Sequence, residues 1–200
     1  AVAEMTVAAL LAICRRIVPT NTAMHEGQWA KSIGTGVSGL KVLLVGYGRI
    51  GRRDGALLHH FGAQLLVYDP YLDAGTLQHA RRLASLEEGL PEADVISLHA
   101  SGENCILDTE AFGQMKPGVI LLNSARGGLV DEEALVAALD TGTVSATWFD
   151  AFWQEPYDGP LLRYEQALLT PHVGTYTRQC RFDMEAAAVK NLLRDLGVRS

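Results

Sequence analysis

The hydrophobic rhythm of this 200-residue chain changes near Lys41. Before it, apolar positions from Ala1 to about Val18 recur as on one helix. After it, short β-branched runs alternate with helical patterns. Strands are expected at residues 42–45, 64–68, 95–98, 119–123, 144–149 and 168–169. Helices are expected at 50–61, 77–83, 108–115 and 131–140, with a long last one from about 179 to 196. Most of the strand runs are continuously apolar rather than alternating, as when helices cover both faces of a sheet. The order predicts an α/β fold, a doubly wound parallel sheet with helices on both faces. Gly34-Thr35-Gly36-Val37-Ser38-Gly39 reads as a link into the sheet, either a hinge or a surface loop.

Composition narrows the function classes. With 48% hydrophobic and 20% charged residues, the chain can bury a sizeable core. A formal charge of -6, with both signs interspersed, offers no basic stripe for nucleic acid, so no nucleic-acid partner is expected. The apolar stretch 7–13 is too short to span a bilayer, and Arg15-Arg16 follow it, contrary to a signal peptide; no membrane association is expected. Cys14, Cys105 and Cys180 form no CxxC pair, which points to a reduced, cytoplasmic setting and to no metal site. His25, His59, His60 and His79 have no metal-ligand spacing either and read as surface or packing residues.

The turn Gly46-Tyr47-Gly48-Arg49-Ile50-Gly51 leads directly from the strand ending at Val45 into a helical pattern. In that context the first glycine permits the tight turn, the second admits a pyrophosphate to the backbone, and the third lets helix and strand pack closely. The helix N-terminus supplies amides and partial positive charge to a diphosphate. Three glycines merely making a tight turn is the alternative. Asp69, 18 residues beyond Gly51, ends the next strand, where a carboxylate would accept both ribose hydroxyls and repel a 2′-phosphate. A Rossmann-type fold binding NAD rather than NADP follows; the alternative is that Asp69-Pro70 is only a strand-ending turn. Arg52 and Arg53 read as solvated helix surface.

Asn123-Ser124-Ala125-Arg126-Gly127-Gly128 sets an arginine just past a strand end, where open α/β sheets hold ligands. A guanidinium fork pairs with a carboxylate through two parallel hydrogen bonds, so a carboxylate-bearing substrate suits Arg126; a structural ion pair is the alternative. Asp150-Ala151-Phe152-Trp153-Gln154-Glu155-Pro156 and Thr170-Pro171-His172-Val173-Gly174 look like an acid–base pair at the ends of consecutive strands. Histidine exchanges a proton near neutral pH, and a carboxylate on its other nitrogen fixes its tautomer. A lone histidine there would be read as structural.

Taken in order, GYGRIG, YDP, MKPGVILLNSARGGLVDEEAL, FDAFWQEP and LTPHVG resemble the D-2-hydroxyacid dehydrogenases, and the opening VAEMTVAALLAICRRI resembles that family's helix leading into the coenzyme domain. The resemblance implies that Arg126 binds and polarises the substrate, that His172 is the general acid/base, and that Glu155 orients and charges it. It implies NAD contacts at Gly46, Gly48, Arg49, Ile50, Gly51 and Asp69, a nicotinamide carboxamide contact at Asp150, and His99, Ala100, Ser124, Ala125 and Gly174 lining the nicotinamide and its ribose. The implied reaction moves a hydride reversibly between a 2-hydroxy acid and NAD.

Two motifs depart from the family pattern. Ser97-Leu98-His99-Ala100-Ser101-Gly102-Glu103-Asn104-Cys105 lacks the proline of His-x-Pro-Leu-Thr, and the usual PHxGG reads His172-Val173-Gly174-Thr175. The resemblance makes residues 1–200 a coenzyme domain, with 1–39 as linking helix and hinge and 176–200 as terminal helix. The substrate domain expected before Ala1 is absent, so the chain is expected to bind NAD but turn over poorly. It also implies a homodimer through the coenzyme domain, for which Trp29 is a candidate anchor unless it packs over the sheet edge. A second function class remains open: an NAD-sensing, dimerising module like the dehydrogenase-like corepressors.

Overall fold

Seven parallel strands form the spine of the chain: β1 (Lys41–Val45), β2 (Gln64–Tyr68), β3 (Ala80–Arg82), β4 (Val95–Leu98), β5 (Val119–Asn123), β6 (Val144–Phe149) and β7 (Ala167–Leu169). The computed structural model describes residues 1–72, 77, 79–102 and 104–197. In the sheet the strands run β3-β2-β1-β4-β5-β6-β7. The chain therefore moves outward from β1 to β2 and β3, then returns to the other side of β1 as β4. That reversal opens a crevice at the carboxyl ends of β1 and β4, where Val45 stands level with Tyr68 on one side and Leu98 on the other.

Alternation along the strands divides the core between two faces. Leu43, Val45, Ile96, Leu98, Leu121 and Phe149 meet Ala111 and Phe112 of α4 (Thr109–Gln114) and Leu135 and Leu139 of α5 (Glu132–Asp140). Val42, Leu44, Val95, Leu122 and Trp148 meet Leu10 of α1 (Val2–Cys14) and Leu58 of α3 (Arg49–His60). Each fully buried side chain of this kind contributes about 1.5–3 kcal/mol.

The helix starts differ in a way that matters for the site. Asp108 caps α4 by accepting from the Ala111 amide at 3.0 Å, and Asp131 caps α5 by accepting from Ala134 at 2.8 Å. By contrast, α3 starts at Gly48, which has no side chain to cap its first-turn amides.

Two expectations are corrected. The first helix does not run to Val18: α1 ends at Cys14, Arg16 takes a left-handed φ of 51°, and α2 spans Ile17–His25. Pro19 is the reason, because proline lacks the amide a continuous helix needs there and is tolerated within a first turn. The expected helix at 77–83 is also wrong where it is described, since residues 80–82 pair with β2 as the edge strand β3; Gln78 lies outside the described residues. Leu77, Ala80 and Leu83 carry a helical spacing, but pairing with the exposed edge of β2 overrides it, and the Leu83 amide continues to the Val67 carbonyl at 2.9 Å. The glycine-rich link is pinned at both ends, where the Thr35 amide donates to the Cys14 carbonyl and the Gly39 amide to the Gly62 carbonyl, each at 2.8 Å. A last helix, α6 (Arg178–Asp195), carries no buried residue; residues 198–200 of the expected terminal segment lie outside the described residues.

Candidate functional site

The turn between β1 and α3 is held by backbone contacts. Gly46 sits at φ 90°, its amide donates to the Tyr68 carbonyl at 2.8 Å, and a Cβ there would come within 2.6 Å of the Ala100 nitrogen. Only glycine meets both conditions. A Cβ on Gly51 would strike the Gly46 carbonyl oxygen, whereas one on Gly48 would meet open space. The turn is thus closed against β4 and its own chain but open over the first turn of α3. Asp69 closes the other flank: its Oδ2 accepts from the Tyr47 amide at 2.7 Å and its Oδ1 from Tyr71 at 2.9 Å. Each oxygen keeps a second lone pair, so the carboxylate can still accept from a ligand. Arg52 is less free than expected, donating through Nε to the Tyr47 carbonyl at 3.0 Å.

Beside the turn, Ile50, His99, Ala100, Ser101, Gly102, Ser124, Ala125 and Arg126 line a pocket of about 230 Å³. It draws together the α3 N-terminus and the ends of β4 and β5, which are far apart in sequence. Asn123 shapes its arginine loop, donating through Nδ2 to the Arg126 carbonyl at 2.8 Å and accepting at Oδ1 from the Ala125 amide at 3.0 Å. Gly127 packs so closely on the Phe152–Trp153 peptide that a side chain would collide with its backbone. The Arg126 and Glu155 loops are therefore locked to each other.

The acid–base pair is formed. His172 Nδ1 lies 2.9 Å from both Glu155 Oε1 and Oε2, and Oε1 also accepts from the Phe152 amide at 3.2 Å. A carboxylate on Nδ1 assigns that nitrogen its hydrogen and leaves Nε2 for exchange with a substrate. The bond to His172 lowers the Glu155 carboxyl below its usual range; partial desolvation opposes this, and the Phe152 amide and the His172 and Arg126 charges add to it. Both partners remain open to solvent, with His172 49% and Glu155 42% exposed. His172 itself has φ 54°, a left-handed conformation uncommon for a side-chain-bearing residue.

Asp150 holds the histidine loop in that conformation. Buried at 2% exposure, it accepts from Thr170 Oγ1 at 2.6 Å and the Val173 amide at 2.9 Å through Oδ1, and from the Gly174 amide at 2.7 Å through Oδ2. Thr170 in turn accepts from Trp148 Nε1 at 3.0 Å.

The profile of the family described as "D-isomer specific 2-hydroxyacid dehydrogenase, NAD binding domain" matches residues 7–174. The chain belongs to this family. It is 41% identical over 186 residues to the D-3-phosphoglycerate dehydrogenase of Mycobacterium bovis, covering 90% of this chain and 35% of that protein. It is 35% identical over 211 residues to the D-lactate/D-glycerate dehydrogenase of Pediococcus acidilactici, covering 96% of this chain and 64% of that one. A crystal structure of a glyoxylate reductase from Paecilomyes thermophila superposes with a TM-score of 0.89 at 30% identity, covering 96% of this chain and 60% of that chain. The chain thus spans between about a third and two thirds of the length of these relatives.

The 2-hydroxyacid dehydrogenase coenzyme domain binds NAD, and the residues here fit that dinucleotide. The uncapped start of α3, the open face over Gly48 and the Asp69 carboxylate offer, in sequence, amides for a diphosphate and acceptors for a ribose. Among the described residues no group of three or more His, Cys, Asp or Glu side chains could hold a metal ion. Sequence reasoning missed Asn123 and Thr170, which hold the Arg126 and His172 loops. Both lie inside quoted motifs, and a polar residue at the end of an apolar strand was the available signal.

Proposed function

We propose that this chain is the coenzyme half of an NAD-dependent dehydrogenase that interconverts a 2-hydroxy acid and a 2-oxo acid. The observation that carries the reading is the His172–Glu155 bond, with the Arg126 charge acting on Glu155, at the carboxyl end of the sheet that also holds the dinucleotide turn. Bound NAD supplies the hydride acceptor. His172 takes the substrate's hydroxyl proton at Nε2 as the carbonyl forms, and returns it in the reverse direction. Glu155, bonded to Nδ1, stabilises the imidazolium formed in that step. Arg126 pairs with the substrate carboxylate and polarises the C2 oxygen. On the cofactor side, Ser124, Ala125, His99, Ala100 and Gly174 would line the nicotinamide and its ribose, Arg49, Ile50 and the turn glycines would hold the diphosphate, and Asp69 would accept from the adenosine ribose. Asp150 reaches the carboxamide through lone pairs that its bonds to the His172 loop leave over.

The exposure of the pair implies a second wall. Excluding water and orienting substrate both require closure, so the 200-residue chain alone binds NADH and turns over slowly. The decisive assay tests the chain, with and without a family substrate domain joined before it, against a panel of 2-oxo acids with NADH and NADPH. NADH oxidation with at least one of them is expected; tight NADH binding without turnover on any would favour the NAD-sensing alternative instead.

Self-association belongs to the same reading. Trp29 is 79% and Ile33 99% exposed, with Ile17, Val18 and Met24 also exposed nearby in sequence; Trp29, so little buried, is available to a second copy of this chain. Light scattering should give a dimer that Trp29→Ala weakens, and a monomer in the parent protein would overturn the assignment. The free thiols Cys14, Cys105 and Cys180 accord with a reduced cytoplasmic setting. Among the described residues, no helix is long and apolar enough to cross a membrane.

A further inference from the structure

Glu155 is carried by irregular chain. It lies between the end of β6 and the short helical turn Pro160–Arg163, with its side chain 42% exposed. Its own holds are the bonds to His172 and to the Phe152 amide. A loop of this kind keeps a carboxylate on its partner only if other contacts fix the loop.

Two aromatic side chains supply those contacts, one on each side. Trp153, two residues before Glu155, donates through Nε1 to the Val130 carbonyl at 2.7 Å. Tyr157, two residues after it, donates from its hydroxyl to Glu132 Oε1 at 2.6 Å and accepts there from the Leu161 amide at 3.1 Å. Val130 and Glu132 both belong to the segment that leads from the Arg126 loop into α5. The Tyr157 ring also stacks on Phe152, with centroids 4.5 Å apart, and the Phe152 amide is the one that reaches Glu155. Gly159 makes room for the ring, since a Cβ there would meet it at 2.5 Å. Burial, and after it the Glu132 carboxylate, push the Tyr157 pKa up, so the hydroxyl stays a donor near neutral pH. Proton transfer as described above gives no role to Tyr157 or Glu132.

We propose that Tyr157 is a positioning residue of the acid–base pair, clasping the Glu155 loop to Glu132 so that the Glu155 carboxylate stays on His172 Nδ1. The clasp joins the loop that charges the histidine to the segment that carries Arg126, so the proton-transfer pair and the substrate's cation move as one. The inference rests on the acid–base reading of His172 and Glu155 and extends it to two residues that act through the loop.

The whole chain, labelled with ¹³C, lets the Glu155 carboxyl be titrated by NMR without any turnover. In the parent its midpoint should lie below 4.5. Tyr157→Phe keeps the ring stack but loses both hydroxyl bonds, and Glu132→Ala removes the acceptor. In each variant the midpoint should rise toward 4.5, because a carboxylate that leaves the imidazolium loses what depresses it. Removal of the Glu132 charge would by itself act the other way, so a rise in that variant reports the clasp. Glu132→Gln, which can still accept from the hydroxyl, should show no such rise. A tyrosine that only stabilises the fold would lower the melting temperature and leave the midpoint where it was. An unmoved midpoint in Tyr157→Phe, or in Glu132→Ala, would overturn the proposal, and either variant suffices if the other does not fold. In a form that turns over a 2-oxo acid, Tyr157→Phe should lower kcat about tenfold with NADH binding unchanged; an undiminished kcat would likewise overturn it. Failure of the acid–base reading itself is distinguishable, because it would show as undiminished kcat in His172→Ala whatever the Glu155 titration gives.

Discussion

The dinucleotide turn and the acid–base pair occupy the same end of one sheet, yet the first is built from backbone and the second from side chains. The turn is specified by the absence of atoms: Gly46 and Gly51 leave no room for a Cβ, and Gly48 leaves the helix start bare. The pair is specified by atoms present, an imidazole and a carboxylate 2.9 Å apart and open to solvent. The turn should therefore fail by steric collapse, taking stability and cofactor affinity together. The pair should fail chemically, losing turnover while the fold and the NADH site survive.

The largest expected effect breaks the pair. In a form that turns over a 2-oxo acid, His172→Ala should lower kcat at least about a hundredfold, with the NADH dissociation constant and melting temperature close to the parent's. Comparable losses of affinity and turnover would mean that the two regions are not separable in this way. Next is the turn itself. Gly46→Ala forces a side chain into a left-handed position beside the Ala100 nitrogen, which should cost about 1–3 kcal/mol by thermal unfolding and should abolish measurable NADH binding. An unaltered melting temperature would contradict the close packing of this turn.

A smaller effect sharpens the comparison from the cofactor side. Asp69→Ala removes the proposed ribose acceptor, its bond to the turn at Tyr47 and its bond to the Tyr71 amide; NADH binding should weaken about tenfold while NADPH binding improves relative to it. Fluorescence titration with both nucleotides decides this. The smallest effect concerns pH. Because the folded Glu155 carboxyl is held below its ordinary value of 4.5, its contribution to stability is present above that value and is lost as pH falls through the depressed folded pKa. Melting temperatures of the parent and Glu155→Gln should differ slightly at neutral pH and converge under acid; a difference that grows on acidification would give the linkage the wrong sign. Exposure of the pair keeps this term small.

Much of the fold was legible because it depends on local pattern. Continuous apolar runs marked six of the seven strands, since a strand covered on both faces needs no polar alternation. The glycine turn was legible because it joins a strand to a helix without a break, and Arg126, Glu155 and His172 because each lies in a segment of unusual composition at a strand end. The failures have a common cause. Residues 80–82 carry helical spacing but become β3 because the edge of β2 is available, which no local window records.

What the sequence determined by itself, then, is the order of elements and the kinds of chemical groups at the strand ends, because both follow from near-neighbour spacing. Only the tertiary structure decided how those groups are held. Asp150 holds the loop that carries His172 by accepting three hydrogen bonds from it, and Gly127 locks the Arg126 loop to the Glu155 loop. Asp54 reads along the chain as one polar residue of a helix, yet it lies buried against His99 from the far end of β4. Hydrogen bonds between residues 20 to 45 positions apart depend on strand order and helix packing. Those are settled by burying the whole apolar surface at once, and no single segment carries that information.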